Sequence, residues 1–275
     1  MVGQDDSPER RWLAAVVLGG RGRYGAAWAL LEPMVHSPAV PAVYRGRAAI
    51  ARASHLRQLG GHRAARCWDG FGLAAAGMGA SQDDAGSGVG LDAGTARVDA
   101  LLGLAADALG LTEFALSRRL LERAEPLALA HPSWRPRVRL DWIRAELALS
   151  LDEPGRALDC AERAVAASAE AGATRHELKS QLVRVVARSC MGEPPVESYR
   201  SLEELAERAI SSRLRSLEWP IRLLLGQLAG PWDGGRASAH HARYRQLLAS
   251  IRQGCDPIGR LVLDRSPWVA AAFGP

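Results

Sequence analysis

The stretch Tyr24-Gly-Ala-Ala-Trp-Ala-Leu-Leu-Glu-Pro-Met34 decides the fold. Within it, Tyr24, Ala27, Leu31 and Met34 stand three, four and three residues apart, which places them on one narrow stripe of an α-helix. The alanine in the stripe lets a neighbouring helix approach closely. The same spacing returns in Phe114, Ser117, Leu121 and Ala124, in Pro154, Ala157, Ala161 and Ala164, and in Tyr199, Leu202, Ala206 and Ala209. A helix with so narrow an apolar face cannot bury it alone. The recurrence therefore predicts helix pairs stacked into a curved array whose concave surface binds other molecules.

Cap and turn signals on either side of these stripes divide the chain into pairs. Ser7-Pro8-Glu9 is a helix start, with serine as cap and proline in the first turn, and this helix should run to about Leu18. Glycines near 19–22 make the turn into a partner over 24–35, and Pro38 and Pro41 break the chain before helices over 43–59 and 62–77. His62 follows Tyr24 by 38 residues, Phe114 follows His62 by 52, and Pro154 follows Phe114 by 40. One inserted loop explains the long interval. It is Ser81–Asp92, polar, glycine-rich and without periodicity, and its removal over 82–92 is expected to leave the fold intact. Further helices are predicted over 94–109, 113–130, 136–150, 154–171, 174–190 and 196–214, then a degenerate pair over 218–228 and 236–251. The apolar run Ile258–Phe273 predicts a segment that folds back as a cap. The expected fold is all-α, an α-solenoid of five to six antiparallel helix pairs with a C-terminal capping segment. It is read as one domain over 1–275, with a candidate break at 81–92 separating repeats 8–80 from repeats 93–255 and a cap over 256–275.

Composition narrows the function classes. A chain of 275 residues with 48% hydrophobic content can bury a substantial core, but its apolar runs are broken by arginine or glutamate far short of a bilayer span. The opening Met-Val-Gly-Gln-Asp-Asp is acidic where a secretory signal is basic and then apolar, so a cytoplasmic location is expected. Cys67, Cys160, Cys190 and Cys255 share no metal or redox spacing and read as reduced, structural thiols. Lys179 is the single lysine, so the net charge of +5 comes from arginine. Residues 1–66 hold ten arginines against Asp5, Asp6, Glu9 and Glu32, which concentrates the positive charge in the first quarter.

Gly22-Arg-Tyr24-Gly-Ala-Ala27, and Ala145-Glu-Leu-Ala148 followed by Gly155-Arg-Ala157-Leu-Asp-Cys-Ala161-Glu-Arg-Ala164, resemble the tetratricopeptide repeat family. The spacing of about 40 exceeds that family's usual 34 or so, and looks like the long-repeat variants attached to bacterial transcriptional activators and signalling ATPases. Repeat two departs from the pattern, with Asp69 and Gly72 in place of a large apolar residue and alanine. The resemblance implies a non-catalytic, regulatory protein–protein interaction adaptor that holds a partner's peptide or helix in a concave groove lined by the first helix of each pair. Carrying the groove positions onto matching first helices points to Trp12, Val16, Arg47, Ser54, Arg57, Trp142, Glu146 and Leu149. The plainer reading of Trp12 and Trp142 is packing between repeats. Arginine among apolar groups suits carboxylates, so an acidic peptide or chain terminus is the expected partner. Reversing Arg47 and Arg57 to glutamate should then abolish binding and leave the helices intact.

Other motifs compete with this reading. Gly20, Gly22 and Gly25 form a literal GxGxxG after an apolar run, the pattern of a nucleotide-binding enzyme, yet no acidic residue lies between Glu32 and Asp69 to receive a ribose. Gly86–Gly90 lacks the Gly-Lys-Ser/Thr ending of a phosphate loop. His240-His241 beside Tyr244 reads as a solvated helix face, and no metal or cofactor motif is present. A nucleic-acid-binding regulator using the basic first quarter is the main alternative, although its arginines are spaced like solvated helix faces and no recognition motif accompanies them.

Overall fold

The computed structural model describes residues 6–78 and 91–267, and among these it is all-helical, with no strand. The helices are α1 (Pro8–Gly20), α2 (Tyr24–His36), α3 (Ala42–Gln58), α4 (His62–Met78), α5 (Ala93–Gly110), α6 (Phe114–Ala130), α7 (Trp134–Ser150), α8 (Pro154–Glu170), α9 (Thr174–Cys190), α10 (Pro195–Ser211), α11 (Arg215–Ala229), α12 (Gly234–Gln253) and α13 (Pro257–Asp264). Successive helices pack against one another, as in a helical solenoid. Most of the predicted boundaries agree to within a residue or two. Helix α7 begins two residues before the predicted start because proline is tolerated in a first turn, α11 begins three residues early at Arg215 and α12 two residues early at Gly234. Pro136 sits at the third position of α7, where no intrahelical bond needs its missing N–H, and Ser133 caps the true start. Pro220 lies within α11.

The stripes that recur in the sequence are the buried faces of the even-numbered helices. Tyr24, Ala27, Leu31 and Met34 are fully buried, as are Ala157, Ala161 and Ala164, and Leu202, Ala206 and Ala209 are at most 1% exposed. At seven of the turns between helices the chain reverses through one repeated device. The residue two past the helix end takes positive φ, at Gly22, Gly60, Thr112, Asp152, Gly172, Gly192 and Arg213. The following N–H then reaches back five residues to a carbonyl, as in Arg23 to Leu18, Glu113 to Ala108, Glu153 to Ala148 and Leu214 to Ala209. This is the helix stop that satisfies the last free carbonyls of a helix. At Thr112, Asp152 and Arg213 a non-glycine residue pays the left-handed strain, so glycine spacing alone under-reports the period.

The array curves until its ends meet. The odd-numbered helices form an inner ring in which α1 packs on α3, α3 on α5, α5 on α7, α7 on α9, α9 on α11 and α11 on α1. Beneath this seam Tyr24 and Leu59 join Tyr244, Leu248, Ile251, Cys255 and Leu263 in one core cluster. The seam is locked by Arg52, whose guanidinium makes two bonds to Asp256 at 2.7 and 2.9 Å and lies 4.6 Å over the Trp28 ring. The groove inferred from the resemblance is therefore closed into a central cavity. The GxGxxG glycines belong to this closure. Gly22 is the turn residue between two helices, with Ile251 and Arg215 where a side chain would stand. Gly20 faces Leu214, and the Gly25 N–H donates to the Gly254 carbonyl at 2.7 Å. A helix, not a strand, precedes the motif, which removes the context that a dinucleotide fingerprint requires.

Two sequence expectations need correcting. Asp92, taken as part of a flexible loop, is buried and caps α5 through the Thr95 N–H at 2.7 Å, while its carboxylate also meets the His131 ring. The loop reading survives only as a statement about 79–90, which lie outside the described residues, as do 268–275 of the capping run. His240 is buried, with its Nε2 at 2.8 Å from the Tyr199 hydroxyl, because α12 is covered by α10 and α11 on that side. His241 packs against Gly226. As for the thiols, Cys160 and Cys255 are buried, Cys67 and Cys190 are exposed, and none is in a disulfide.

Replacing Arg52 by alanine leaves Asp256 without its cation at a nearly dry seam, a change that costs about 3–5 kcal/mol for buried pairs. Urea unfolding of Arg52→Ala should register a loss of that order, with new proteolytic cleavage before α13. Arg52→Lys should restore only part of it, since lysine lacks the two-pronged geometry.

Candidate functional site

The ring surrounds a cavity of about 820 Å³ that remains open to solvent. Seven of the eight residues carried over from the family pattern line it: Trp12 and Val16 from α1, Arg47, Ser54 and Arg57 from α3, and Trp142 and Glu146 from α7. Leu149 does not. It packs instead with Ala145, Ala148 and Ala157.

Trp12 and Arg47 form one wall. The Trp12 indole donates to the Arg47 carbonyl at 3.2 Å, and the Arg47 guanidinium sits 5.0 Å over the same ring while donating to the Asp92 carbonyl at 3.2 Å. Burial lowers the Arg47 pKa to about 10, with Asp99 opposing that shift, so the side chain stays cationic at neutral pH. Trp142 forms the opposite wall, donating to Ser180 Oγ at 2.8 Å and stacking on His176 with ring centres 5.2 Å apart. Both tryptophans are thus packing residues and lining residues together.

Arg57 has a structural task. It donates to Asp69 at 2.9 Å, to Asp107 at 2.5 Å and to the Gly103 carbonyl at 3.0 Å, and both carboxylates are fully buried. Burial works against the charge of Arg57, but the two carboxylates and their hydrogen bonds outweigh it and raise its pKa. This pair explains the departures in repeat two. Asp69 replaces an apolar residue because Arg57 reaches it, and a Cβ at Gly103 would collide with its carboxylate. Gly72 is small because Ile50 fills its place. Reversing Arg57 would oppose two buried carboxylates, so that substitution disrupts the fold and cannot serve as a neutral test of binding.

The largest group that the sequence reading missed comes from α5, α7 and α9. Asp99 pairs with both Arg135 at 2.8 Å and Arg139 at 3.0 Å, and Lys179 pairs with Glu146 at 2.6 Å. Arg175 also lines the cavity, and its Nε lies 3.9 Å from where a Cβ of Gly20 would stand, across the ring on α1. A signal was available: Arg135, Arg139, Trp142 and Glu146 recur at helical spacing on one face, and Arg175 and Lys179 repeat it one pair later. Asp99 carries no such signal, because only packing brings it to α7.

Of the three histidines that line this interior, His55 and His176 are held neutral. His55 lies 5.3 Å from the Tyr24 ring and has no room for a Cβ on Gly19 beside it. Burial first, and the Arg52 and Arg175 charges next, push its pKa down to about 3. His176 is pushed to about 3 by burial and by Arg175, Arg135 and Arg139. The arginines of the first quarter divide between interior and surface: Arg11, Arg47 and Arg52 are buried, Arg57 is bound within and Arg66 pairs with Glu113, whereas Arg10, Arg21, Arg23 and Arg63 are exposed, as solvated helix faces would have them. Among the described residues no three His, Cys, Asp or Glu side chains converge as a metal site, and no helix is long and apolar enough to cross a membrane.

An unfolded histidine binds a proton near pH 6.5, whereas folded His55 does so only near 3. The unfolded state therefore takes up more protons between these values, and stability falls as the pH drops through that window. By pH 5, His55 alone should cost about 2 kcal/mol, at about 1.4 kcal/mol per pH unit below 6.5. Melting curves of the wild type and His55→Gln between pH 7 and pH 5 check this: the wild type should lose stability and the variant should lose distinctly less. Parallel curves would remove His55 as the cause.

The chain matches no model of a known protein family and no curated protein sequence.

Proposed function

We propose that this protein is a non-catalytic binding module that encloses a compact anionic ligand within its helical ring. The observation that carries the reading is the composition of the cavity wall. Arg47, Arg135, Arg139, Arg175 and Lys179 face inward beside Trp12 and Trp142, against only Asp99 and Glu146 among the lining carboxylates. Guanidinium groups in a partly dry enclosure favour oxyanions, and the indole faces suit an apolar or planar remainder. The volume of about 820 Å³ falls in the range of small-molecule sites, about 300–1,000 Å³. A helix about 10 Å across would fill it within two turns or so.

Closure of the groove thus turns the expected peptide or helix into a short acidic chain end or a small anion. The adaptor reading is retained one step outward. By resemblance to the long repeats attached to bacterial regulators, occupancy of the ring would be reported to a transcription or signalling partner, an analogy at the level of fold. Direct nucleic-acid binding is less well supported, because Arg11, Arg47, Arg52 and Arg57 of the ten arginines that motivated it are engaged inside the molecule, which leaves Arg10, Arg21, Arg23 and Arg63 exposed.

Thermal melting with a panel of ligands tests the reading. A ligand at 100 times its Kd stabilises by about 2.7 kcal/mol, which raises a melting point by several degrees. Short acidic peptides or small aromatic carboxylates should produce that shift, and their neutral amides should not. Arg47→Met should remove most of it. Stabilisation by a long acidic helix alone, with none from small anions, would refute enclosure and favour an outer docking surface.

A further inference from the structure

Arg175 is the one arginine or lysine lining the cavity that has neither an ion pair nor a hydrogen bond among the described residues. Arg57 is held by Asp69 and Asp107, Arg135 and Arg139 by Asp99, and Lys179 by Glu146, while Arg47 donates to the Asp92 carbonyl. The Arg175 Nε is buried without an acceptor. Burial lowers its pKa, with Tyr24 opposing that shift and Arg139 adding to it, although an arginine keeps its proton in a protein. A buried donor left unmatched costs free energy, and most such donors in folded proteins have a partner. Arg175 is the second residue of α9 and reaches the Gly19–Gly20 end of α1, where its Nε lies 3.9 Å, and the Leu214 Cδ2 3.3 Å, from the place a Cβ of Gly20 would take. Ser216, two residues past Leu214, also lines the cavity, and its buried hydroxyl has no partner. The His55 ring fills the place of a side chain at Gly19, and its Nδ1 is likewise buried and unpartnered. Polar groups from α3, α9 and α11 thus surround one end of α1, and none of them satisfies another.

The chemistry of these groups limits what they accept. Arg175 and the Ser216 hydroxyl can both donate, whereas His55 is held neutral by burial and by the Arg52 and Arg175 charges, so it adds no second positive charge. One guanidinium edge presents two N–H groups in a plane, which match the two oxygens of a carboxylate. The next residue along α9, His176, stacks on Trp142 with ring centres 5.2 Å apart, and Trp134 stands edge-on to it at 4.9 Å. We infer that the Gly19–Gly20 end of α1 is the seat of the ligand's charged group, a single carboxylate that accepts from Arg175 and Ser216, and that a planar aromatic body extends from it to the Trp142–His176 stack. Arg47, bonded to the Asp92 carbonyl and packed on Trp12, shapes the wall against which that body is held. This assignment rests on the enclosed-anion reading and refines it, from any compact anion to an aromatic monocarboxylate.

Calorimetric titration at neutral pH with cinnamate and cinnamamide tests the seat, because the two share a planar body and differ in the charged group. The wild type should bind the acid about tenfold more tightly than the amide, or better, the difference that hydrogen bonds between charged groups supply. Arg175→Met should bring that preference down to about threefold or less, and Arg175→Lys, which keeps the charge without the planar fork, should fall between the two. Ser216→Ala should weaken the acid about threefold and leave the amide nearly unchanged. The unliganded Arg175→Met variant should melt no lower than the wild type, since an arginine without a partner contributes no bond to the fold; a lower melting point would make Arg175 a structural group and count against the seat. An unaltered preference in the folded Arg175→Met variant would overturn the seat at Arg175 and leave the enclosed-anion reading standing, with the charge held elsewhere in the ring. Equal affinity of the wild type for both compounds, or binding of neither, would overturn the carboxylate seat as well, and the acidic-peptide melting panel would then decide separately whether any anion enters the ring.

Discussion

The rest of the architecture depends on one contact between the two ends of the array, the two-pronged bond from Arg52 on α3 to Asp256 at the start of α13. Arg52 is 1% exposed, and on its other side it rests on the Trp28 ring. Asp256 simultaneously caps α13 through the Ile258 and Gly259 N–H groups, so the same carboxylate starts the last helix and fastens it to the second repeat. Without such a lock, a stack of helix pairs would present an open concave face and two unpaired ends. With it, the inner helices close and the concave face becomes a chamber.

Closure also accounts for where the basic residues of the first quarter go. An open solenoid can leave arginines in water on its inner face. A closed one places them in a confined space, where each must find a carboxylate, a carbonyl or a ligand. Arg57 finds Asp69 and Asp107, Arg52 finds Asp256, and Arg47 finds the backbone of Asp92. His55 and His176 in the chamber stay neutral, because a further proton would add to an already positive, poorly hydrated interior. Stability and site chemistry are therefore set by the same electrostatic balance.

The turns and small-residue stripes give the ring its regular curvature. Seven of the reversals end a helix with a left-handed residue and a carbonyl captured five residues back, so that the helices they join leave one another in a similar direction. Ala27, Ala124, Ala161 and Ala206 then bring the outer helices close to the inner ones. Where the second repeat breaks the pattern, it does so for interior charge: Asp69 replaces an apolar residue and Gly103 makes room for it.

By itself, the sequence determined the helices and their pairing. The three-four-three stripe, the serine and proline starts and the glycine stops are local signals, written in residues that lie within a turn or two of one another. It also pointed to most of the inner wall, since Trp12, Arg47, Ser54, Arg57, Trp142 and Glu146 fall on first helices at groove positions. Only the tertiary structure decided that the groove closes, that Gly20, Gly22 and Gly25 face the last three helices rather than a phosphate, and that Asp92 and His240 are buried. The reason is physical. A partner such as Asp256 for Arg52 lies some 200 residues away, and Arg135 and Arg139 meet Asp99 only because α5 and α7 are neighbours in the ring. No periodicity within a helix encodes contacts that curvature, summed over six repeats, creates.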